Sequence, residues 1–179
     1  DVIALRPAPG GAAQPDPGAA AEDLAGSALL AALEARLAGA FPAADDPVAA
    51  ACREQIAGGG HRVRARLALD AAPGLGLEPA RALAVATAVE LLHNASLAHD
   101  DLADGDRVRR SGPALWVRHG EDVALLAGDV MISAAYGAAA PLGAAAIAPM
   151  HGAIADTAAG QAADRRGLAG CAGIAAWET

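Results

Sequence analysis

Between positions 90 and 116 the chain reads ELLHNASLAHDDLADGDRVRRSGPALW, and this stretch concentrates residue types able to do chemistry. Asp100 and Asp104 stand four residues apart, so on a helix they stack on one face. Leu97 and His93 lie one and two turns back on the same stripe, Asp101 sits beside it, and Asp106 follows Gly105. Carboxylates crowded on one helix repel one another unless a cation answers them. Hard oxygen donors with room for water suit Mg2+, a metal often shared with a substrate phosphate. Arg107, Arg109 and Arg110 come next on a glycine-flanked loop, and guanidinium is suited to bidentate phosphate contact. A second basic set, His61, Arg62 and Arg64, follows Gly58-Gly59-Gly60, whose free backbone allows close approach to an anion. Two arginine clusters and a carboxylate triplet imply more than one diphosphate-sized anion, at least one of them held through metal.

Each feature alone has a plainer reading. Acids and arginines in sequence commonly form a solvated face or cap helices. A single His93 on an apolar helix reads more readily as a satisfied core residue than as a ligand contact. His61, Arg62 and Arg64 equally describe a charge cluster beside a loop. An EF-hand fits poorly, because no Glu stands at the bidentate position after DLADGD. The combination in this order carries the functional reading.

The elements that must position these groups follow from composition and punctuation. The 179 residues include 54 Ala, 20 Leu, 9 Val, 6 Ile and one Phe, so the apolar content is mostly methyl groups. Ala favours helices and strands want the branched and aromatic residues that are scarce here, which predicts an all-α protein with close helix packing. Thirteen Arg and no Lys stand against 21 acids, for a net charge of −8; a nucleic-acid partner is thereby disfavoured. Cys52 and Cys171 form no CxxC, which fits reduced thiols in a cytoplasmic protein, and no signal peptide is visible. The uncharged run Val130–Ala155 is long enough for a membrane span. Its Ala and Gly content and Pro141 and Pro149 argue against one.

Residues 1–20 read as a loosely held Pro/Gly/Ala arm, and 21–179 as a helical domain. A first helix is expected over about 21–40. A second starts at Asp45-Asp46-Pro47 and stops at Gly58-Gly59-Gly60. A third starts within 61–69 and ends before Pro73-Gly74. The longest runs over about 79–103 and carries the aspartates. Glycines 105, 112 and 120 mark a loop region, and another helix begins at Glu121.

The 90–116 segment resembles the trans-isoprenyl diphosphate synthases (polyprenyl synthetases), whose first aspartate-rich motif reads DDxxD before an RRG-x-P turn. Here the motif is Asp100-Asp101-Leu102-Ala103-Asp104, followed by Arg109-Arg110-Ser111-Gly112-Pro113. The family's GGKRxRP corresponds to Gly59-Gly60-His61-Arg62-Val63-Arg64-Ala65, and H-x-x-S-L-x-H-D-D matches His93, Ser96, Leu97, His99, Asp100 and Asp101. LAGD (126–129) and GQAAD (160–164) resemble two further family positions. The resemblance runs from about residue 22 to 179.

The resemblance implies an all-α isoprenoid-synthase-type helical bundle and a prenyltransferase that condenses isopentenyl diphosphate with an allylic diphosphate. By the same token Asp100 and Asp104 are Mg2+ ligands, Asp101 supports them, and the three form the catalytic motif. Arg109 binds the allylic diphosphate, and His61, Arg64, His93 and Arg110 bind isopentenyl diphosphate. The small Ala95 and Ser96 sit where bulky residues floor the family's product cavity, which implies growth past C15. A homodimer is the family's assembly. His61 replaces the family's Lys, and Ser111 its Gly. The second aspartate-rich motif and its Lys-Thr and Phe-Gln pairs are missing, which implies that the sequence carries the N-terminal half of an incomplete bundle with an exposed apolar seam. Two alternatives stand beside this reading. One is a non-catalytic fragment or partner subunit that binds diphosphate. The other is a class I terpene cyclase, which would have no need of Arg64, His93 and Arg110.

Overall fold

A computed structural model describes residues 17–42, 45–109 and 112–165. Most of the expected N-terminal arm, Arg110, Ser111, Cys171 and the last residues to Thr179 lie outside the described residues. Among the described residues seven α-helices are formed: α1 (Pro17–Ala38), α2 (Pro47–Ala57), α3 (Val63–Ala71), α4 (Pro79–Asp104), α5 (Leu115–His119), α6 (Glu121–Ala139) and α7 (Ala144–Arg165). The one sheet among these residues is a hairpin, with β1 (Val108–Arg109) antiparallel to β2 (Gly112–Pro113).

Local chemistry fixes most boundaries. Asp46 caps α2, its carboxylate accepting from the Val48 N–H at 3.0 Å, and Pro47 occupies the first turn. Pro79 likewise occupies the first turn of α4, which has no side-chain cap. At its far end Gly105 is left-handed, with φ 73°, and the Asp101 carbonyl accepts from both the Gly105 and Asp106 N–H groups. One boundary differs from expectation. Helix α1 starts at Pro17, inside the segment assigned to the arm. Helix α3 starts within 61–69 and ends before Pro73 as expected, with Arg62, left-handed at φ 48°, standing before it. Helix α7 passes through Pro149. Ala145 and Pro149 are both exposed there, so the carbonyl that loses its partner can reach water.

Helix α4 is the axis of the bundle. It packs most extensively against α6, then α3 and α1, and α2 also rests on α6. The large core side chains are few, chiefly Leu33 and Leu37 of α1, Leu91 of α4, Leu115 of α5 and Met131 of α6. Between them lie buried alanines, among them Ala86, Ala95 and Ala98 of α4 and Ala124, Ala127 and Ala135 of α6. Small residues allow the close packing that the composition predicts. Cys52 is part of this core: its thiol donates to the Ala127 carbonyl at 3.4 Å, and burial pushes its pKa up to about 11. Such a thiol is unreactive.

Among the described residues the helical stretch long and apolar enough to cross a membrane is 121–142, which overlaps the uncharged run 130–155 only in part. It begins with Glu121 and Asp122, carries Asp129, and buries Ala124, Ala127, Gly128, Met131 and Ala135 within the bundle. Its other side leaves Leu125, Leu126 and Val130 at least 40% exposed, and Val63 and Leu67 of α3 are exposed as well.

Gly128 of α6 lies directly against the His99 side chain of α4. A Cβ there would overlap the ring of His99, whose Nε2–H donates to the Leu125 carbonyl, 3.1 Å away. Gly128→Ala is expected to displace the imidazole and cost about 1–3 kcal/mol of stability, read by urea denaturation. Gly137→Ala, where nothing lies within 4 Å, should instead be neutral or stabilising by up to about 1 kcal/mol. Equal behaviour of the two variants would contradict this packing.

Candidate active site

The aspartate motif occupies the last two turns of α4, and the helix divides its three carboxylates. Asp100 and Asp104 lie on one stripe, Asp100 half-buried and Asp104 exposed. Asp101 points the other way and is buried, 1% exposed. Arg109 answers it from β1, with Nε at 2.6 Å and Nη2 at 2.5 Å from the same carboxylate oxygen. The charge pair holds the hairpin against α4, and Asp101 in turn keeps the Arg109 guanidinium protonated. The loop between them is fixed further: the Trp116 indole N–H donates to the Asp106 carbonyl at 2.7 Å, and the Arg107 guanidinium lies 5.2 Å from the Trp116 ring centre.

Asp100 has a different partner. The Gln161 amide of α7 donates to its Oδ1 at 2.5 Å. Partial burial, then the neighbouring Asp104, raises its pKa above the ordinary carboxylate range. These two carboxylates are hard oxygen donors with an unmet demand for positive charge, which fits a divalent cation that completes its shell with water and phosphate oxygens. Among the described residues no group of three or more His, Cys, Asp or Glu side chains is gathered for a metal, so the protein's share of such a shell here is the pair.

Asp100 also borders a cavity of about 630 Å3 between α4, α6 and α7. The same wall carries Arg64, His93, Ala95 and Ser96, and Gln161 and His99 lie at its Asp100 end. Arg64 Nη1 is 3.1 Å from His93 Nε2, which joins the start of α3 to the middle of α4. The Ser96 hydroxyl donates to the His93 carbonyl at 2.9 Å and so leaves the cavity wall effectively small and apolar. Val89, Leu92, Ile132 and Ile154 complete that wall.

Not every expected residue gathers here. His61 is exposed and outside the lining, and Arg110 lies outside the described residues. Arg109 and Asp101 border a separate cavity of about 210 Å3, shared with Arg118 and Glu54; Arg118 and His119 of α5 both pair with Glu54 of α2. Arg62, grouped by sequence with the anion-binding set, is instead buried and paired with Glu34 and Glu90. Three contributors had no role in the sequence reading. Gln161, His99 and Glu90 all stood inside quoted segments without an assigned task.

The polyprenyl synthetase family model matches residues 45–169. The chain belongs to this family. It is 47% identical over 81 residues to a short chain isoprenyl diphosphate synthase of Methanothermobacter thermautotrophicus, covering 45% of this chain and 25% of that protein. It is 47% identical over 77 residues to a (2E,6E)-farnesyl diphosphate synthase of Mycobacterium bovis, covering 43% and 21%. Among solved structures, an isoprenoid synthase family member from Thermotoga neapolitana superposes with a TM-score of 0.69 at 32% identity, over 76% of this chain and 55% of that one. A geranyltranstransferase from Thermotoga maritima gives 0.62 at 36% identity, over 66% and 46%. This polyprenyl synthetase chain therefore matches about a quarter of the length of those curated relatives and about half of those structures. The all-α fold expected from composition agrees with theirs.

The raised pKa of Asp100 makes a pH-dependent prediction for the metal-free protein. Its folded form holds the proton more tightly than the unfolded chain, so its contribution to stability falls as pH rises above the ordinary carboxylate pKa. Asp100→Asn keeps the acceptor for Gln161 and removes the repulsion. In chelator its melting temperature should exceed wild type by about 1–2 °C at pH 7. That gain should shrink toward pH 3, and a gain independent of pH would contradict the assignment.

Proposed function

We propose that this chain supplies the first aspartate motif and the isopentenyl diphosphate clamp of a prenyltransferase that joins isopentenyl diphosphate to an allylic diphosphate. The observation that supports this most is the one cavity wall shared by Arg64, His93 and Asp100. On a helix, positions 93 and 100 are about 10 Å apart. Two diphosphates can therefore sit at opposite ends of a space lined between them by apolar side chains.

In this reading Arg64 and His93 donate to the diphosphate of isopentenyl diphosphate, joined by His61 and Arg110. Asp100 and Asp104 are ligands of Mg2+, with Asp101 in support; when bound, the metal neutralises the leaving diphosphate of the allylic substrate. Arg109 borders the neighbouring cavity, and its Nη1, which Asp101 does not engage, is the group available to that diphosphate as charge develops on the breaking C–O bond. Val89, Leu92, Ile132 and Ile154 hold the prenyl chain and keep water from the allylic cation. The double bond of isopentenyl diphosphate then forms the new carbon–carbon bond, and proton loss restores neutrality. Ala95 and Ser96, small and in the wall, leave room for a product longer than C15. We read the assembly as a homodimer and the location as cytoplasmic, in keeping with the buried, unpaired thiol of Cys52.

Calorimetric titration tests the reading. Dimethylallyl diphosphate should bind the chain only with Mg2+ and lose most of that affinity in Asp100→Ala. Isopentenyl diphosphate should bind without metal and weaken about tenfold or more in Arg64→Ala. Allylic binding that ignores both Mg2+ and Asp100→Ala would overturn the proposal.

A further inference from the structure

We propose that Arg62 is a positioning residue for the diphosphate clamp, acting through the Arg64–His93 contact without touching the anion itself. The inference rests on the diphosphate reading of Arg64 and His93 given above. Arg62 is the residue other than glycine with positive φ among the described residues, at φ 48° and ψ 36°. Such a conformation persists in an L-residue only where the surroundings over-determine it.

Here they do. The Arg62 side chain is 5% exposed. Its Nε and Nη2 donate to the two carboxylate oxygens of Glu34 on α1, at 2.8 and 3.1 Å. Nη2 also donates to the Ile56 carbonyl near the end of α2 at 2.9 Å, and Nη1 to Glu90 Oε1 on α4 at 3.1 Å. Four of the five guanidinium N–H groups are thus used inside the protein, which leaves no face for a substrate anion. Two carboxylates around one guanidinium also leave no surplus positive charge to attract one.

What this grip controls is the geometry on either side of it. The Arg62 carbonyl accepts the Arg66 N–H at 2.8 Å and so starts α3, which places Arg64 in the first turn. Arg64 then reaches His93 at 3.1 Å. On the other side, Glu90 precedes His93 by three residues, one turn of α4. The Asn94 amide ties that turn together, donating to the Glu90 carbonyl at 2.8 Å and to Oε1 at 3.4 Å. One guanidinium therefore sets the register between the two halves of the clamp, and the left-handed backbone turns the two arginines of the basic set apart: Arg62 inward, Arg64 toward the cavity.

Arg62→Lys keeps the charge and loses the fork. In the ligand-free chain it is expected to shift the His93 imidazole nitrogen resonances, which report the Arg64 contact directly. It should weaken isopentenyl diphosphate binding about tenfold, and that loss should vanish when Arg64→Ala is already present. Glu34→Gln, altering a partner whose side chain is half exposed, should act in the same direction more weakly, and decides the question if Arg62→Lys does not fold. Unchanged His93 resonances, or an affinity loss undiminished in the Arg64→Ala background, would overturn the proposal. If Arg64→Ala itself binds like wild type, the diphosphate reading fails instead. The His93 resonances of the ligand-free chain still decide the role of Arg62.

Discussion

Everything in this bundle depends on how carboxylates on one buried helix are neutralised. Helix α4 carries Glu90, Asp100, Asp101 and Asp104 through the centre of the protein. An unpaired buried charge is far costlier than a paired one. Two of the four are answered by arginines from outside the helix, Glu90 by Arg62 and Asp101 by Arg109. Those two pairs attach α3 and the β1–β2 hairpin to α4, so the elements bearing the basic residues are held by the charges they neutralise. Asp100 and Asp104 lie on the remaining stripe, with no ion pair to an arginine among the described residues. Two acids of α4 thus have arginine partners, and the two without one are those to which the proposed function gives a cation.

Alanine makes this arrangement mechanically workable. A core of large side chains would hold α4 and α6 apart, whereas Ala95, Ala98, Ala124 and Ala127 let the helices approach. Gly128 carries the approach further and leaves the imidazole of His99 a seat. The same economy of volume leaves the cavity beside Ala95 and Ser96 open. Few large residues means modest hydrophobic stabilisation per residue, and the ion pairs and helix caps matter more in compensation.

Local signals were legible in the sequence and tertiary ones were not. Asp46-Pro47, Pro79 and Gly105 act within a few residues of themselves, so their helix boundaries could be read directly. Asp100 and Asp104 share a face because helical spacing alone dictates it. The partner of Asp101 could not be read, since an acid followed eight residues later by an arginine specifies no contact until the hairpin folds back. Arg62 was misgrouped for a related reason. Three basic residues within four positions read as one patch, and only a left-handed backbone, costly for an arginine, sends one of them inward. Gln161 reaches Asp100 from sixty-one residues away, a pairing that depends on how α7 crosses the bundle and on nothing local.

The same helix explains why the two ends of the site stay in register. Residues His93 and Asp100 belong to one continuous α4 with no Gly or Pro between them, so their separation is a property of helical rise and hardly changes with ligand. Adjustment has to come from the elements that bring the partners: α3 with Arg64, the hairpin with Arg109 and α7 with Gln161. Each is held to α4 by polar contacts whose strength depends on geometry. A hydrophobic contact tolerates a shift of an ångström, whereas an arginine fork on a carboxylate does not. Such contacts at Arg62 and Arg109 therefore confine the motion of the start of α3 and of the hairpin relative to α4, while the apolar wall between them is held less tightly.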